Sequence, residues 1–538
     1  MTARPASRPA TAGSSPTSPD VTHSARRWWA LVAIAASVLV VGLDLTVLNL
    51  ALPTMAVSLH ASTGDLQWIA DAYSLVLAAL ILPAGLLGDR YGRKRMLLVA
   101  LVIFGASSLA CSYATSTGEL IAARAVLGIG AAAIFPLALS VLPVLFDQEE
   151  RQRAVAAIAG ATMLSFPIGP IVGGFLLDHF WWGSVFLINV PVVVLALVAV
   201  TLLLPESRSA RRPTIDLAGL FVSTAGLVAL TYGFIKAGQD GWSDAALALI
   251  VGGVGVLALL PWVEREVSRR GGQPLADLRL FRSAGFRWGT ILATAVSFAM
   301  FGIFFALPQY FQDVRGADAL GSGLRLLPMV GGMLAGMIAG TRLQAPRRGG
   351  GAAPAGPSAV VAVGYLLMAA AMVLGAFTTL ASSIGYTLGW VALAGFGLGM
   401  VMPAAMGAAL GALSAERSGA GSALLTAMRQ VGSTIGVAVL GTVISNNYSS
   451  GVASAAAGLP AQAADAVRSS VGAGVAAAGK LGSATLLDTV RSAFVHGMDA
   501  MLWTCGGIAV ACAILALLFL PRRTETAEPA DEASSLAL

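Results

Sequence analysis

Charge is what this chain has least of. Only 11% of its 538 residues are Asp, Glu, Lys or Arg, while 57% are hydrophobic, and the mean hydropathy is +0.81. Such a chain has too little polar residue to cover an ordinary soluble core, so composition places it in a membrane. Cysteine is nearly absent: Cys111, Cys505 and Cys512 fall singly within apolar runs, which excludes a disulfide framework and metal-ligand spacing and leaves packing. Lysine is scarce too, and three Lys against thirty Arg, with abundant Ala and Gly, fit a GC-rich bacterial genome. There is no phosphate-binding loop and no Gly-rich dinucleotide fingerprint between a strand and a helix, so no enzyme motif competes and direct coupling to nucleotide hydrolysis is excluded. The net charge of +6 is spread over short loops rather than gathered on one stripe, which argues for membrane topology and against a nucleic-acid partner.

What the chain has in quantity is membrane-length apolar sequence. A spanning criterion of roughly 20 residues gives fourteen segments: 29–55, 67–87, 96–114, 119–142, 154–177, 184–204, 216–236, 243–263, 286–310, 322–343, 358–378, 384–411, 420–445 and 497–520. An even number puts both termini on one side. Most of the 33 Lys and Arg lie on the side of the N-terminus, so both ends are expected in the cytoplasm. Residues 1–27, rich in Pro, Ser, Thr and Ala and without the apolar core of a cleaved signal, are expected to be a disordered cytoplasmic tail. Spans one to six (28–204) and nine to fourteen (284–520) form two six-helix halves. Segment 205–283 carries two extra helices between charged linkers, 447–495 is expected to be mostly a long outer loop with helical turns at Ala461–Ser469 and Leu486–Val495, and 521–538 is a second cytoplasmic tail.

Five stretches carry the chemistry. Gly85-Leu-Leu-Gly88-Asp89-Arg90-Tyr91-Gly92-Arg93-Lys94-Arg95 joins spans two and three. Its charges are too costly for lipid, so it forms a tight cytoplasmic turn in which Asp89 can pair with the basic residues, and its glycines let helix ends approach. A degraded copy, Gly336 to Gly340 with Arg342 and Arg347-Arg348-Gly349, sits at the equivalent place in the second half. In span one, Asp44 lies about eleven residues from the outer end, some 16 Å deep at about 1.5 Å per residue. A carboxylate there must face a wet cavity, pair with a cation or carry a proton; it is a candidate for exchanging protons against cations, or else a structural partner of a neighbouring helix. Asp71 lies about one turn inside the outer end of span two, shallow enough to be solvated from outside. Arg124, one to two turns inside span four, must point into the bundle and seek an acid, with Asp44 and Asp71 as the partners at matching depth. Span five holds Pro167, Gly169, Pro170, Gly173 and Gly174, so it must be kinked and closely packed. Asn49, Gln309 and Arg429 are further polar groups at membrane depth, for which structural hydrogen bonding is the plainer role.

The 85–95 junction resembles the loop 2–3 signature of the major facilitator superfamily. Leu43 to Pro53 is similar to the span-one signature of its fourteen-span drug:proton antiporters, Trp68-Ile69-Ala70-Asp71-Ala72-Tyr73 to the methyl viologen and quaternary ammonium exporters, the span-four stretch around Arg124 to a motif whose Arg assists proton transfer, and span five to the antiporter signature. The resemblance implies an all-α major facilitator fold of two six-helix halves plus two inserted helices, with substrate bound between the halves. It also implies a proton-driven exporter of cationic or amphipathic drugs in the bacterial plasma membrane that confers resistance and needs no cofactor. Asp44, Asp71 and Arg124 would couple proton to drug, and Gly85, Gly88, Asp89, Arg90, Gly92, Arg93, Lys94 and Arg95 would latch the inner gate. Small-molecule drugs, protons and lipid are the expected partners, with a monomer as the working unit. A dedicated exporter of one endogenous antibiotic or metabolite, and a non-transporting membrane receptor or scaffold, are the rival readings.

Overall fold

A computed structural model describes residues 21–208, 216–270, 278–344, 356–413 and 415–521. In chain order the helices are α1 (Val21–Ser58), α2 (Thr63–Tyr91), α3 (Arg93–Ser112), α4 (Thr117–Leu145), α5 (Gln148–His179), α6 (Ser184–Leu187), α7 (Asn189–Leu203), α8 (Leu217–Asp240) and α9 (Asp244–Arg269). They continue with α10 (Ala284–Gln309), α11 (Ala319–Gln344), α12 (Pro357–Gly375), α13 (Ile384–Gly411), α14 (Ala415–Ala457), α15 (Ala461–Ser469), α16 (Val471–Leu481) and α17 (Ala484–Phe519). No strand occurs among the described residues. Among the described residues, fourteen helical segments are long and apolar enough to cross a membrane, α6 and α7 together counting as one.

Two hydrophobic cores organise the bundle. One is built almost wholly from residues between Ala30 and Leu204, the other mostly from residues between Leu280 and Leu520. In the first, α1 packs on α5 and α7, and α4 on α2 and α3; in the second, α13 packs on α11 and α12, and α14 on α10 and α17. The halves meet where α2 lies on α14 and α5 on α11. The inserted pair packs α9 on α8, and α8 lies against α2 and α14, where Thr442 Oγ1 donates to Phe234 O at 2.7 Å. Exposed Leu195, Leu202, Phe221, Val251 and Trp262 form the outward apolar surface that a bilayer would cover.

Two expectations need correction. The tail expected over residues 1–27 is helical from Val21 onward, and residues 1–20 lie outside the described part. Its end is tied down: Arg27 pairs with Glu150 at 3.0 Å, and the Trp28 ring meets Phe146 edge-on at 5.1 Å. The segment 447–495 is helical well beyond the two turns expected in it, of which Ala461–Ser469 coincides with α15 and Leu486–Val495 falls within α17. α14 runs on to Ala457, α15 and α16 follow, and α17 begins at Ala484. Alanine-rich sequence favours helix even where hydropathy is low, and Ser470 and Ser483 cap the next helices by accepting from Ala473 N and Leu486 N. Residues 522–538 and the Arg347-Arg348-Gly349 part of the degraded copy lie outside the described residues.

Candidate functional site

The site begins with the helices that bring α1, α4 and α7 together. Asp44 on α1 and Arg124 on α4 form an ion pair through Oδ2 and Nη1, with both side chains essentially removed from solvent. Arg124 Nε donates to Ile69 O at 3.1 Å, and its guanidinium lies over the Tyr73 ring at 4.4 Å and near the Phe186 ring at 5.8 Å. The arginine is thus clamped between a carboxylate, a carbonyl and two aromatic faces, which is the environment a desolvated guanidinium tolerates best. Asn189, buried at the start of α7, belongs to a helix that packs on α1. Asn189 is held by Ser108, to whose Oγ it donates at 3.0 Å, while Ser108 Oγ donates to Phe186 O at 2.9 Å.

Asp71 lies a little over two turns along α2 from the start of that helix, yet it is fully buried rather than solvated from outside. Among the described residues, neither of its carboxylate oxygens has a hydrogen-bond partner, and the same is true of Tyr73 Oη and of Arg124 Nη2. The pairing expected of Arg124 is therefore made with Asp44, while Asp71 contributes an uncompensated acid on the neighbouring helix. Helices pack close enough to seal it: a Cβ on Gly128 would sit 2.7 Å from Tyr73 O.

The proline and glycine stretch of α5 touches both halves. Pro167 and Pro170 lie inside the helix. Gly169 and Gly173 admit Thr46 and Val47 of α1, a Cβ on Gly173 falling 2.8 Å from Val47 Cγ1. Gly174 faces the other half, where a Cβ would stand 2.6 Å from Leu320 Cα, and the Pro170 carbonyl abuts Gly323. At the end of α5, the Asp178 carboxylate accepts from Ala319 N at 3.0 Å and Leu320 N at 3.1 Å, capping α11 of the opposite half. Further bonds across the halves lie at the same end of the bundle: Gln312 Nε2 to Leu50 O at 2.9 Å, Thr63 Oγ1 to Ser469 O at 3.0 Å and Gln67 Nε2 to Ala438 O at 3.3 Å.

The charged turn sits at the opposite end. α2 runs through Tyr91 and α3 begins at Arg93, so Gly92 alone makes the bend, with a φ of +112° that side chains rarely adopt. Asp89 Oδ1 accepts from Arg93 Nη2 at 2.8 Å and Nε at 3.0 Å. Gly85 and Gly88 lie against Pro136 and Leu137 of α4. Arg90 stacks on the Tyr91 ring at 5.5 Å. Lys94 and Arg95 use their backbone amides: Glu206 accepts from Lys94 N and Arg95 N, each at 3.2 Å, while Lys94 Nζ donates to Thr201 O at 2.7 Å.

The remaining polar candidates are held locally. Asn49 Nδ2 donates to Leu45 O at 2.9 Å and Gln309 Nε2 to Phe305 O at 2.8 Å. Arg429 Nε donates to Ser297 Oγ at 3.4 Å. Asn189, Tyr73, Asp178 and Glu206 were not legible as site residues. Asn189 follows Phe186 in an apolar stretch and Asp178 closes one, and only the distance in sequence to Ser108 or to Ala319 hid their partners.

Two halves of membrane-spanning helices joined at one end, the first holding a buried charge pair, make a multi-pass membrane transporter. The Major Facilitator Superfamily profile matches residues 34–437, and the chain belongs to that superfamily, whose members are secondary transporters rather than enzymes. It is 34% identical to a tetracenomycin C resistance and export protein of Streptomyces glaucescens, over 94% of this chain and 93% of that one. It is 33% identical to a multidrug efflux pump of Mycolicibacterium smegmatis, over 88% and 92%, and 32% identical to a methyl viologen resistance protein of Salmonella typhimurium, over 91% and 97%. Among solved structures, a bacterial homologue of the human lysosomal transporter Spinster superposes with a TM-score of 0.64 at 16% identity, covering 95% of this chain and 99% of that one. A D-xylose-proton symporter gives 0.59 at 15% identity, over 93% and 99%. At that level of identity the likeness is one of fold.

Proposed function

We propose that the protein is a proton-driven efflux antiporter that exports cationic or amphipathic drugs across the bacterial plasma membrane and thereby confers resistance. The observation that carries this reading is the buried Asp44–Arg124 pair beside the unpartnered Asp71. A carboxylate sealed among helices with one cation can alternate between two states, ionised and holding Arg124, or protonated and releasing it. Release would free Arg124 to turn toward Asp71, two residues from the Ile69 carbonyl it already grips, and repack α1 against α4. With the basic turn on the cytoplasmic side and both termini inside, the end bolted by Asp178, Gln312 and Gln67 is the outer one. The geometry is then that of the state closed to the outside. Asp89–Arg93 would set the α2–α3 corner that latches the inner gate in the opposite state. The energy comes from the gradient, about 2.3 kcal/mol per charge per 100 mV. Lipid and protons are the remaining partners of a monomeric unit, and no cofactor is required.

A second reading has a specific observation behind it. Relatives named for tetracenomycin C export and for actinorhodin transport favour a dedicated exporter of one endogenous antibiotic using the same machinery. Cellular accumulation of ethidium and of a panel of antibiotics separates the two: broad efflux supports the first, a single exported compound the second. Efflux unchanged by Asp44→Asn contradicts the role given to Asp44 in either.

A further inference from the structure

Several arginines lie within the membrane-spanning segments, Arg325 of α11 and Arg491 of α17 among them, and Arg124 and Arg429 are housed differently. Arg124 has a carboxylate, a carbonyl and two ring faces. Arg429, on α14 within the apolar stretch Gly421–Ala457, has long contacts to neutral atoms: Ser297 Oγ of α10 at 3.4 Å and Met406 Sδ of α13 at 3.7 Å. No carboxylate pairs with it among the described residues. It is also partly exposed where Arg124 is sealed, so its guanidinium keeps an open edge.

The surroundings of that edge are those of a binding site. On the same α10–α14 seam, Thr294 Oγ1 and Gln430 Nε2 are buried polar atoms without a hydrogen-bond partner, and the two backbones come close there, a Cβ on Gly432 falling 2.5 Å from Thr294 O. Partly buried Phe298, Phe301, Met402 and Met406 supply apolar and aromatic surface. Phe301 packs against both hydrophobic cores, and Ala427 and Val437 of α14 belong to the core of the first half. α14 therefore borders the boundary between the halves, where this class of transporter holds its cargo, and Arg429 reaches from it toward α10 and α13. An unpaired guanidinium in an apolar, aromatic setting is costly to keep and is matched by a planar, oxygen-centred acceptor.

We propose that Arg429 is a substrate-binding residue that receives an anionic oxygen, a carboxylate or phenolate, on an aromatic amphipathic molecule. The preferred cargo is then acid-bearing or zwitterionic rather than a plain cation. The inference rests on the export reading above and narrows its substrate class. Rhodamine 110, which carries a free carboxylate, and rhodamine 123, its methyl ester, differ at that group alone. Their affinities are measured by fluorescence anisotropy with the full-length protein in detergent, for the wild type, Arg429→Gln and Arg429→Lys, with thermal unfolding as a check on folding. The wild type is expected to prefer the acid, Arg429→Gln to lose that preference by about tenfold with the ester little changed, and Arg429→Lys to keep part of it. A wild type without preference for the acid overturns the proposal whatever the variants do. So does an acid-to-ester ratio that Arg429→Gln leaves intact, or an equal loss for both dyes. Because binding in detergent needs no gradient, failure here is distinct from failure of export, which is read separately as gradient-driven ethidium uptake into everted vesicles.

Discussion

Asp44 and Arg124 are worth more as a pair than either is alone. With both side chains out of solvent, removing one partner strands the other, at a cost of about 3–5 kcal/mol. Asp44→Leu or Arg124→Met alone should therefore lower thermal stability in detergent sharply, and the double variant should recover most of the loss while transport stays absent. Losses that simply add would show that the pair is not coupled. Asp71 has the opposite signature. As a buried carboxylate without hydrogen bonds it is a cost to the fold, so Asp71→Leu should raise stability, by about 1–3 kcal/mol, while lowering drug export; a destabilised Asp71→Leu protein would mean that the acid has a structural partner. The depth of Asp44 and the need of Arg124 for an acid were legible in the sequence, because an uncompensated charge in lipid leaves few options. The burial of Asp71 was not, since distance along a helix does not reveal how closely α4 covers it. Nor was Asn189, whose role arises only where α7 meets α1.

Helices α5 and α14 do the joining. The Pro167–Gly174 stretch was legible as a kinked, closely packed segment from residue type alone, yet the two surfaces it serves were not, because glycine patterning carries no information about which neighbour arrives. Gly173 faces α1 and Gly174 faces α11, so they should fail differently. Gly174→Ala places a methyl group against the α11 backbone and should disfavour the arrangement in which Asp178 caps Ala319 and Leu320. Spin labels at the outer ends of α5 and α11 should report a longer distance, and export should fall several-fold; an unchanged distance distribution would contradict the close approach. Within 447–495, α15 and the start of α17 were legible as helical turns, while α16 and the extension of α14 were not, for a related reason. Their alanines and short polar residues favour helix without supplying the hydropathy by which spans are recognised, so α16 read as loop.

For the whole molecule, the number of spans, the two halves and the inserted pair were written in hydropathy and in the placement of Arg. Which end of the bundle is joined was not, since that depends on Thr63, Gln67, Asp178 and Gln312 meeting backbone atoms far along the chain. A bundle closed at one end and carrying its charge pair in the half that moves against the other is suited to alternate exposure of one site to two sides. The central claim is that drug movement and proton movement are one event, linked at Asp44. Proteoliposomes holding a pH-sensitive dye and a preset proton gradient measure it directly when ethidium is added. The wild-type protein should release protons on drug addition and Asp44→Asn should release none, although it still binds ethidium; drug-dependent proton release that persists in Asp44→Asn would contradict the account.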